Sequence, residues 1–261
     1  MGEIRLALYM PDSGDFDTRK TTKTSLAIVE AINDLDGATL TELADYTGLA
    51  TSTLHTHLKT LEEAEYVTRS GNTYRLGLHL FHIGENARRR DPRYTLARDK
   101  AFELSNEVNE EVSFAVEEYG RSIILYDETP VPSDTGFQVG RYFHMHSSAS
   151  GKAMLAAFST ERVYEIVDKW GLPEYTENTI TNVDELFDEL ERVREQGYAV
   201  NRQEELEGLY SVAMVINNPD GSVFGSMDIS GPPYRLPEDS EIAAQLRPVV
   251  GELESKLEKR D

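Results

Sequence analysis

The 261-residue chain has no cysteine, a single tryptophan, and few lysines: 8, against 18 arginines. Without cysteine, a disulfide framework, a thiolate metal site and a cysteine nucleophile are all excluded. Long apolar runs are also missing, because the short run from Ile4 to Met10 is followed at once by acidic residues. Neither a signal peptide nor a membrane span is therefore expected. The length predicts one large or two modest domains, and we expect a globular, cytoplasmic protein.

The chain is strongly acidic, and its charge is unevenly distributed. Lys and Arg number 26 against 47 Asp and Glu, which gives a net charge of −21. An acidic composition poor in lysine favours a halophile, in which carboxylates hydrate the surface, over an ordinary acidic protein. Residues 1–90 carry a net −3, residues 91–261 a net −18, and residues 51–90 a net +2. This asymmetry is compatible with a DNA-binding N-terminal domain on an acidic body, although negative charge normally opposes such binding.

Helical patterns occupy residues 24 to 65. Apolar spacing predicts a first helix over residues 24–34, ended by Asp36-Gly37. Residues 39–42 (TLTE) have the form of a capping box, which starts a short second helix that stops at Thr47-Gly48. A third helix runs to about residue 65, and its start carries hydroxyl residues able to cap it. Two short helices around a glycine-containing turn indicate a helix-turn-helix.

The second helix of such a pair enters the major groove of DNA, where its polar side chains meet base edges. In the third helix Leu54, Leu58 and Leu61 share one face, and polar residues lie opposite. Residues 66–76 alternate around Ser70-Gly71-Asn72, which predicts a β-hairpin and completes a winged helix. A three-helix domain that does not bind DNA is the alternative. The expected DNA-contacting residues are Thr51, Ser52, Thr53, His55, Thr56, Lys59, Arg69 and Arg75.

Residues 77–91 are predicted to form an amphipathic linker helix that ends at Asp91-Pro92. Its apolar side could pair with a twin in a dimer, and residues 88–90 (RRR) either contact phosphate or snorkel at the surface. Helices are then expected at 94–109, from about 149, at 160–169, 183–196 and 238–259, and strands at 112–118, 122–127, 137–144, 208–217 and 223–230. Because strands and helices cluster instead of alternating, we predict an α+β fold with an antiparallel sheet.

No catalytic set assembles in this body. Ser150-Gly151-Lys152 lacks the upstream glycine of a phosphate-binding loop. His144 and His146 are strand neighbours without nearby carboxylates, which is weak support for a metal site. We therefore predict no cofactor, no metal and no enzymatic activity.

The order of elements, together with four segments of the body, resembles the IclR family of transcriptional regulators. The resemblance extends over about residues 20–255. Those segments are HSSASGKA at 146–153, the Leu, Val-Arg and Gly-Tyr-Ala positions within 186–199, the Glu-Glu and Gly-Leu pairs within 204–209, and ISGP at 229–232. The resemblance implies a GAF-like effector domain, operator DNA and a small organic effector as partners, and a homodimer or dimer of dimers. We therefore expect a flexible tail over residues 1–17, the winged helix-turn-helix over 18–76, the linker over 77–91 and the effector domain over 92–261.

The resemblance also implies a set of effector-binding positions. Three depart from the family pattern: Asn201 replaces an acidic residue, Ser211 a cysteine and Asp228 a serine. Ser150 and Gly151 have simple helix capping as their alternative role, and Ser211 that of a satisfied strand hydroxyl. The implied positions are Ser150, Gly151, Asn201, Leu209, Ser211, Asp228 and Ser230.

The function expected from the sequence is a sequence-specific DNA-binding regulator controlled by a small metabolite. A ligand-independent DNA-binding scaffold and, less favoured, a small-molecule enzyme are the alternatives. If Asp228 points inward, it repels a carboxylate, which favours a polyol, sugar-derived or amino-bearing effector. A register slip of one residue would instead place Asp228 in solvent, and Ser230 with it.

Overall fold

Residues 19–130 and 139–258 are described in the computed structural model. The predicted tail (1–17), the start of the strand predicted over 137–144, and residues 259–261 lie outside the described residues. The chain separates into two compact units, the first ending at Arg90 and the second beginning at Asp91. Among the described residues, no helix combines the length and the apolar character needed to cross a bilayer.

The first unit is a three-helix core with a small sheet. Its buried centre is formed by Ile28, Ile32, Leu43, Leu54 and Leu58, which repeat at helical spacing in the sequence. Its elements are α1 (Lys20–Asp34), β1 (Ala38–Thr39), α2 (Leu40–Thr47), α3 (Thr51–Glu63), β2 (Val67–Ser70), β3 (Thr73–Leu76) and α4 (His79–Arg88). The predicted helix-turn-helix and hairpin are therefore confirmed.

The predicted N-terminal caps of α2 and α3 can be compared with the structure. The capping box is present, because Thr39 N donates to Glu42 Oε2 at 2.8 Å and Glu42 N to Thr39 Oγ1 at 3.3 Å. The expected hydroxyl cap of α3 is wrong: Ala50 is its N-cap residue, no side chain caps it, and residues 51–53 are its first three helical residues.

Strand β1 was not predicted. It pairs with β3 because the capping residue Thr39 is itself extended.

The second unit is built on a six-stranded antiparallel sheet with the order β6-β5-β4-β9-β8-β7. Its strands are β4 (Glu111–Glu118), β5 (Arg121–Glu128), β6 (Tyr142–His144), β7 (Ala199–Arg202), β8 (Tyr210–Asn217) and β9 (Val223–Gly231). Its helices are α5 (Tyr94–Val108), α6 (Ala149–Ala157), α7 (Thr160–Trp170), α8 (Val183–Gln196) and α9 (Asp239–Glu258). The predicted α+β class with an antiparallel sheet is confirmed.

Helices cover both faces of this sheet. On one face Phe114 and Ile229 are buried with Leu104 of α5 and Leu246 of α9. On the other face Ala213 is buried with residues of α6, α7 and α8. Because side chains alternate along each strand, every second residue of β4, β8 and β9 faces the α6 side. That side also carries the polar residues of the candidate site.

Candidate ligand cavity and nucleic-acid interface

Helix α3 presents a polar face opposite its buried leucines. Leu54 and Leu58 are almost fully buried in the core of the first unit. Thr56 Oγ1 donates to the Ser52 carbonyl at 3.1 Å, which leaves the hydroxyl lone pairs of Thr56 directed outward. Lys59 makes no ion pair within the described part of the chain, so its ammonium group is available to a phosphate or a base. Six expected contacts are exposed on this helix: Thr51, Ser52, Thr53, His55, Thr56 and Lys59.

The two arginines of the hairpin lie on opposite faces of it. Arg69 is opposite Tyr74 in the β2–β3 ladder and Arg75 is opposite Thr68, and directly opposed residues point to one side. The Arg69 guanidinium lies 5.2 Å from the Tyr74 ring centroid, and its Nε donates to the Gly71 carbonyl at 2.9 Å. Both arginines are exposed. Their side chains therefore leave the hairpin on opposite sides, which the sequence pattern did not indicate.

A small cavity lies between the large sheet and the start of α6, with an enclosed volume of about 20 Å³ and further space at its open mouth. The enclosed part holds about one water molecule, so a larger ligand would have to occupy the mouth as well. Of the effector positions expected from the resemblance, five line it, whereas Gly151 and Ser230 do not. Its described lining consists of Ser113, Ser122, Ile124, Phe143, Ser148, Ala149, Ser150, Asn201, Glu205, Leu209, Ser211 and Asp228.

Strand register arranges the polar side chains of the α6-facing side of the sheet in two adjacent rows. Cross-strand partners point to one face, and so do residues two apart on a strand. The first row runs across β5, β4 and β9 through Asp127, Ser113 and Asp228. The second row runs across β4, β9, β8 and β7 through Glu111, Ser230, Ser211 and Asn201. Asp228 and Ser230 therefore point inward together.

The Asp228 carboxyl is buried at the floor of the cavity. Ser150 Oγ, from the first turn of α6, donates to Asp228 Oδ1 at 2.7 Å. Burial, assisted by the nearby Glu111 carboxylate and opposed by the hydrogen bond from Ser150, raises the pKa of Asp228 to about 7. The serine therefore has a hydrogen-bonding role in the cavity, while another residue caps the helix.

Ser148 is the residue that caps α6, since its side chain accepts from Gly151 N at 3.1 Å. Gly151 itself is needed for packing. A Cβ at this position would lie 2.3 Å from the carbonyl oxygen of Met145, closer than any real contact. The helix start can approach the 145–148 segment only with glycine here, and this approach brings Ser150 over the sheet.

A second carboxylate, Glu205, lines the cavity and was absent from the positions expected there. It accepts a short hydrogen bond from Ser147 Oγ, and its Oε1 lies 3.8 Å from a guanidinium nitrogen of Arg141. The Glu204-Glu205 pair was visible in the sequence, but nothing there showed which member would point inward. Ser113 was detectable in principle, as a polar position within the buried run of β4.

His144 ends β6 and His146 follows in a turn, so the two are not strand neighbours as expected, and both pack as neutral side chains. His146 Nε2 donates to the Pro173 carbonyl at 3.0 Å, and burial lowers the pKa of His146 to about 4. Burial likewise lowers the pKa of His144, whose ring packs edge-on against Trp170. Among the described residues, no group of three or more His, Asp or Glu side chains is placed to hold a metal ion.

Comparison with known proteins places both units in one family. The model described as "Bacterial transcriptional regulator IclR C-terminal" matches residues 94–254, and "IclR helix-turn-helix domain" matches residues 24–71. The probable HTH-type transcriptional regulator ArcR of Halobacterium salinarum is 29% identical over 90% of this chain and 91% of its own length. The transcriptional repressor IclR of Escherichia coli is 29% identical over 82% of this chain and 80% of its own length.

Solved structures agree with this fold. The crystal structure of Thermotoga maritima IclR has a TM-score of 0.73 at 25% identity and covers 91% of this chain and 98% of its own. A transcriptional regulator from Alicyclobacillus acidocaldarius has a TM-score of 0.77 at 21% identity, with 92% and 99% covered, which shows the fold alone. The family model of the C-terminal domain alone spans more than half of the chain. The chain therefore belongs to the IclR family of transcriptional regulators.

Proposed function

We propose that the chain binds operator DNA through α3 and its hairpin, and that a small organic metabolite in the cavity sets the affinity of this binding. Residues 18–76 would form the DNA-binding domain, residues 77–91 the linker and residues 92–261 the effector domain. The observation that carries the proposal is the exposed polar face of α3, on which Lys59 has no ion-pair partner within the described residues. A helix of this kind reads base edges from the major groove.

Control of DNA binding by the metabolite follows from the thermodynamic linkage between ligand binding and protein conformation. A ligand that binds one conformation of the effector domain more tightly shifts the whole protein toward that conformation. In a dimer this shift would change the spacing of two α3 helices, and only one spacing matches half-sites one helical turn apart. The implied homodimer or dimer of dimers supplies the two helices. The cavity, with hydroxyl, amide and carboxyl groups around Leu209 and Phe143, suits a polar metabolite.

The same proposal makes the chain a regulator and no enzyme, acting in the cytoplasm, and places it in a salt-rich cell. Named relatives are regulators, and the cavity lining contains no histidine, cysteine or lysine that would activate a nucleophile among the described residues. A net charge of −21 and the relative from Halobacterium salinarum support work at high salt.

The decisive experiment compares Lys59→Ala with Lys256→Ala, which removes the same charge from a half-buried site on α9, in the other unit. The operator is first selected from random duplexes with the wild-type protein. A gel shift at one fixed KCl concentration then measures affinity. Lys59→Ala should weaken binding more than tenfold, because a base contact contributes about 1–3 kcal/mol. Equal affinities for the two variants would remove Lys59 from the interface, and failure to select any operator would contradict the proposal as a whole.

A further inference from the structure

The cavity holds two carboxyl groups, and only one of them is compensated. Glu205 has the Ser147 hydroxyl and the nearby Arg141 guanidinium. No lysine or arginine is found among the described residues that line the cavity. Lys152, two residues after Ser150, is not available either, because its ammonium group is held by Glu204 at 2.6 Å and by Glu189 at 3.3 Å.

Asp228 is the carboxyl without a cation. Its only hydrogen bond within the described chain is the one it accepts from Ser150 Oγ, at 2.7 Å. Among the described residues, no basic side chain lies within ion-pair distance of the Asp228 carboxyl. Burying a carboxylate without a partner costs several kcal/mol, so natural proteins pair such groups or place them where something else will pair them.

The neighbours of Asp228 on the sheet increase this deficit. Asp127 lies in the same cross-strand row, one strand beyond Ser113. The Ser113 hydroxyl donates to Asp127 Oδ1 at 2.9 Å, so it has no proton left to donate to Asp228. Burial, together with the Glu111 and Asp228 carboxyls, raises the pKa of Asp127 to about 7. Three acidic groups thus share one face of the sheet, and Asp228 is the one of them that lines the cavity.

A second unsatisfied polar group lies beside Asp228 on the sheet, although it is not part of the described cavity lining. Ser230 is completely buried, and its hydroxyl has no hydrogen-bond partner within the described residues. It lies two residues from Asp228 on the same face and opposite Ser211, which lines the cavity. An unsatisfied buried hydroxyl costs about 1–3 kcal/mol, and in native proteins it usually marks a missing partner.

We propose that the effector is a small molecule with a protonated primary amine, and that its ammonium group binds at Asp228 beside the hydroxyls of Ser211 and Ser230. This inference rests on the proposed function and specifies its ligand. An ammonium group supplies three hydrogen-bond donors and one positive charge. The acceptors around Asp228 have too few donors and no cation, so the two sets match. A neutral polyol would bring donors without the charge, and a plain short carboxylate would be repelled.

The protonation state of Asp228 supports the same assignment and gives it a second readout. With a pKa of about 7, the carboxyl of the empty cavity is partly protonated near neutral pH. A bound ammonium stabilises the ionised form, so amine binding transfers a proton from Asp228 to the buffer. Calorimetry in two buffers of different ionisation enthalpy measures this release directly.

The test uses pairs of compounds that differ only in an amino or a hydroxyl group: glucosamine with glucose, and 4-aminobutan-1-ol with butane-1,4-diol. Pyruvate and glycerate represent carboxylates. Each is added at about 50 mM to the full-length protein at a fixed KCl concentration, and Tm is measured. The amine of at least one pair should raise Tm by roughly 2–4 °C more than its hydroxyl partner. An equimolar addition of KCl controls for ionic strength.

Asp228→Asn keeps an acceptor for Ser150 and removes the charge, so it should abolish the preference for the amine and the proton release. Asp188→Asn, an exposed site on α8, should leave both unchanged. Asp228→Ser replaces Asp228→Asn if the latter does not fold, and should also admit pyruvate or glycerate. The proposal is overturned if no amine outperforms its partner, if the KCl control gives the same shift, or if the preference survives in the Asp228 variants.

Operator selection with the same wild-type protein distinguishes failure of the ligand assignment from failure of the proposed regulator function. If the protein selects and binds an operator but shows no preference for amines, only the ligand assignment fails. If it selects no operator, the regulator proposal fails, whatever the cavity binds.

Discussion

Lys152 and Glu204 form an ion pair that is almost completely excluded from solvent, with the ammonium nitrogen 2.6 and 2.7 Å from the two carboxylate oxygens. The pair joins α6 to the loop after β7. Asn201 Oδ1 accepts from Glu204 N at 2.8 Å, which fixes the same loop from the strand side. Asn201 and Glu205, both cavity residues, therefore take their positions from a contact that lies outside the cavity.

Replacing Lys152 by methionine should destabilise the protein by about 3–5 kcal/mol, because Glu204 would be left buried without a cation and Glu189 would keep only Arg192. Chemical denaturation at one KCl concentration measures this loss. Lys256→Met, on the surface of α9, should change the free energy of unfolding by less than about 1 kcal/mol. Combining Lys152→Met with Glu204→Gln should recover part of the loss. A double variant as unstable as the sum of the singles would show that the pair itself is not the cause.

Asp228 should make the stability of the ligand-free protein fall as pH rises. Its pKa is raised from 3.8 to about 7 in the folded state, so the folded protein binds more protons than the unfolded chain between these values. The Asp228 contribution to the free energy of unfolding therefore falls as pH rises toward 7 and stays constant above pH 7. Asp228→Asn lacks this loss and should exceed the wild type by up to about 4 kcal/mol above pH 7, and by progressively less toward pH 4.

Denaturation of both proteins between pH 5 and pH 8.5 checks the sign of this difference. Asp127 titrates in both proteins, but its pKa should be less raised in Asp228→Asn, because the Asp228 carboxyl is one of the groups that raise it. Its own loss of stability is then smaller in the variant, so it adds to the expected difference with the same sign. Asp188→Asn should follow the wild-type curve throughout. If the difference between Asp228→Asn and the wild type does not change with pH, the carboxyl is not titrating in a buried site.

Gly151 and Gly251 both lie inside helices, but alanine should have opposite effects at the two positions. At Gly151 the new Cβ would lie 2.3 Å from a backbone oxygen of Met145, whereas at Gly251 nothing lies within 4 Å. Gly251→Ala should stabilise the protein by about 0.5–1 kcal/mol through helix propensity. Gly151→Ala should destabilise it by at least about 2 kcal/mol, since the clash is with backbone. A harmless Gly151→Ala, measured by urea or thermal unfolding, would contradict the packing role.

Most of the architecture could be predicted from short-range patterns. Leucines at helical spacing gave α3, and the capping box at Thr39 and Glu42 located α2, because these signals depend only on neighbours in the chain. Strand β1 was not predicted because two residues are too few to show an alternating pattern. In addition, Thr39 belongs to the strand and also caps α2. The cap of α3 was misplaced because serine and threonine suit the first helical turn as well as the cap itself.

The cavity was only partly predictable, because its residues meet through long-range register. Whether Asp228 faces inward depends on its pairing with Ser113 and Ala213, which are far away in sequence. The row through Glu111, Ser230, Ser211 and Asn201 draws on four strands, and no local pattern joins them. Gly151 was assigned to the ligand through the resemblance to the family, and only the distance to Met145 reveals its packing role.

Operator binding should depend only weakly on salt. A regulator that makes 6–10 phosphate contacts loses roughly 10³–10⁵ in affinity between 50 and 200 mM salt, because each contact releases a condensed counterion. Residues 51–90 carry a net charge of only +2, and Lys59 is the one basic residue of α3. We therefore expect binding to rest on base contacts and dimer geometry, with a shallow salt slope and operator binding retained above about 1 M KCl.

Gel shifts or fluorescence anisotropy over a series of KCl concentrations measure the slope, which reports the number of phosphates neutralised. The two hairpin arginines lie on opposite faces of the hairpin, so at most one of them should contribute. Arg69→Ala and Arg75→Ala, measured over the same series, identify it: one variant should lower the slope by about one unit and the other should leave it unchanged. A steep wild-type slope would contradict both this prediction and adaptation to high salt. A loss in both arginine variants would mean that the hairpin contacts two separate stretches of backbone.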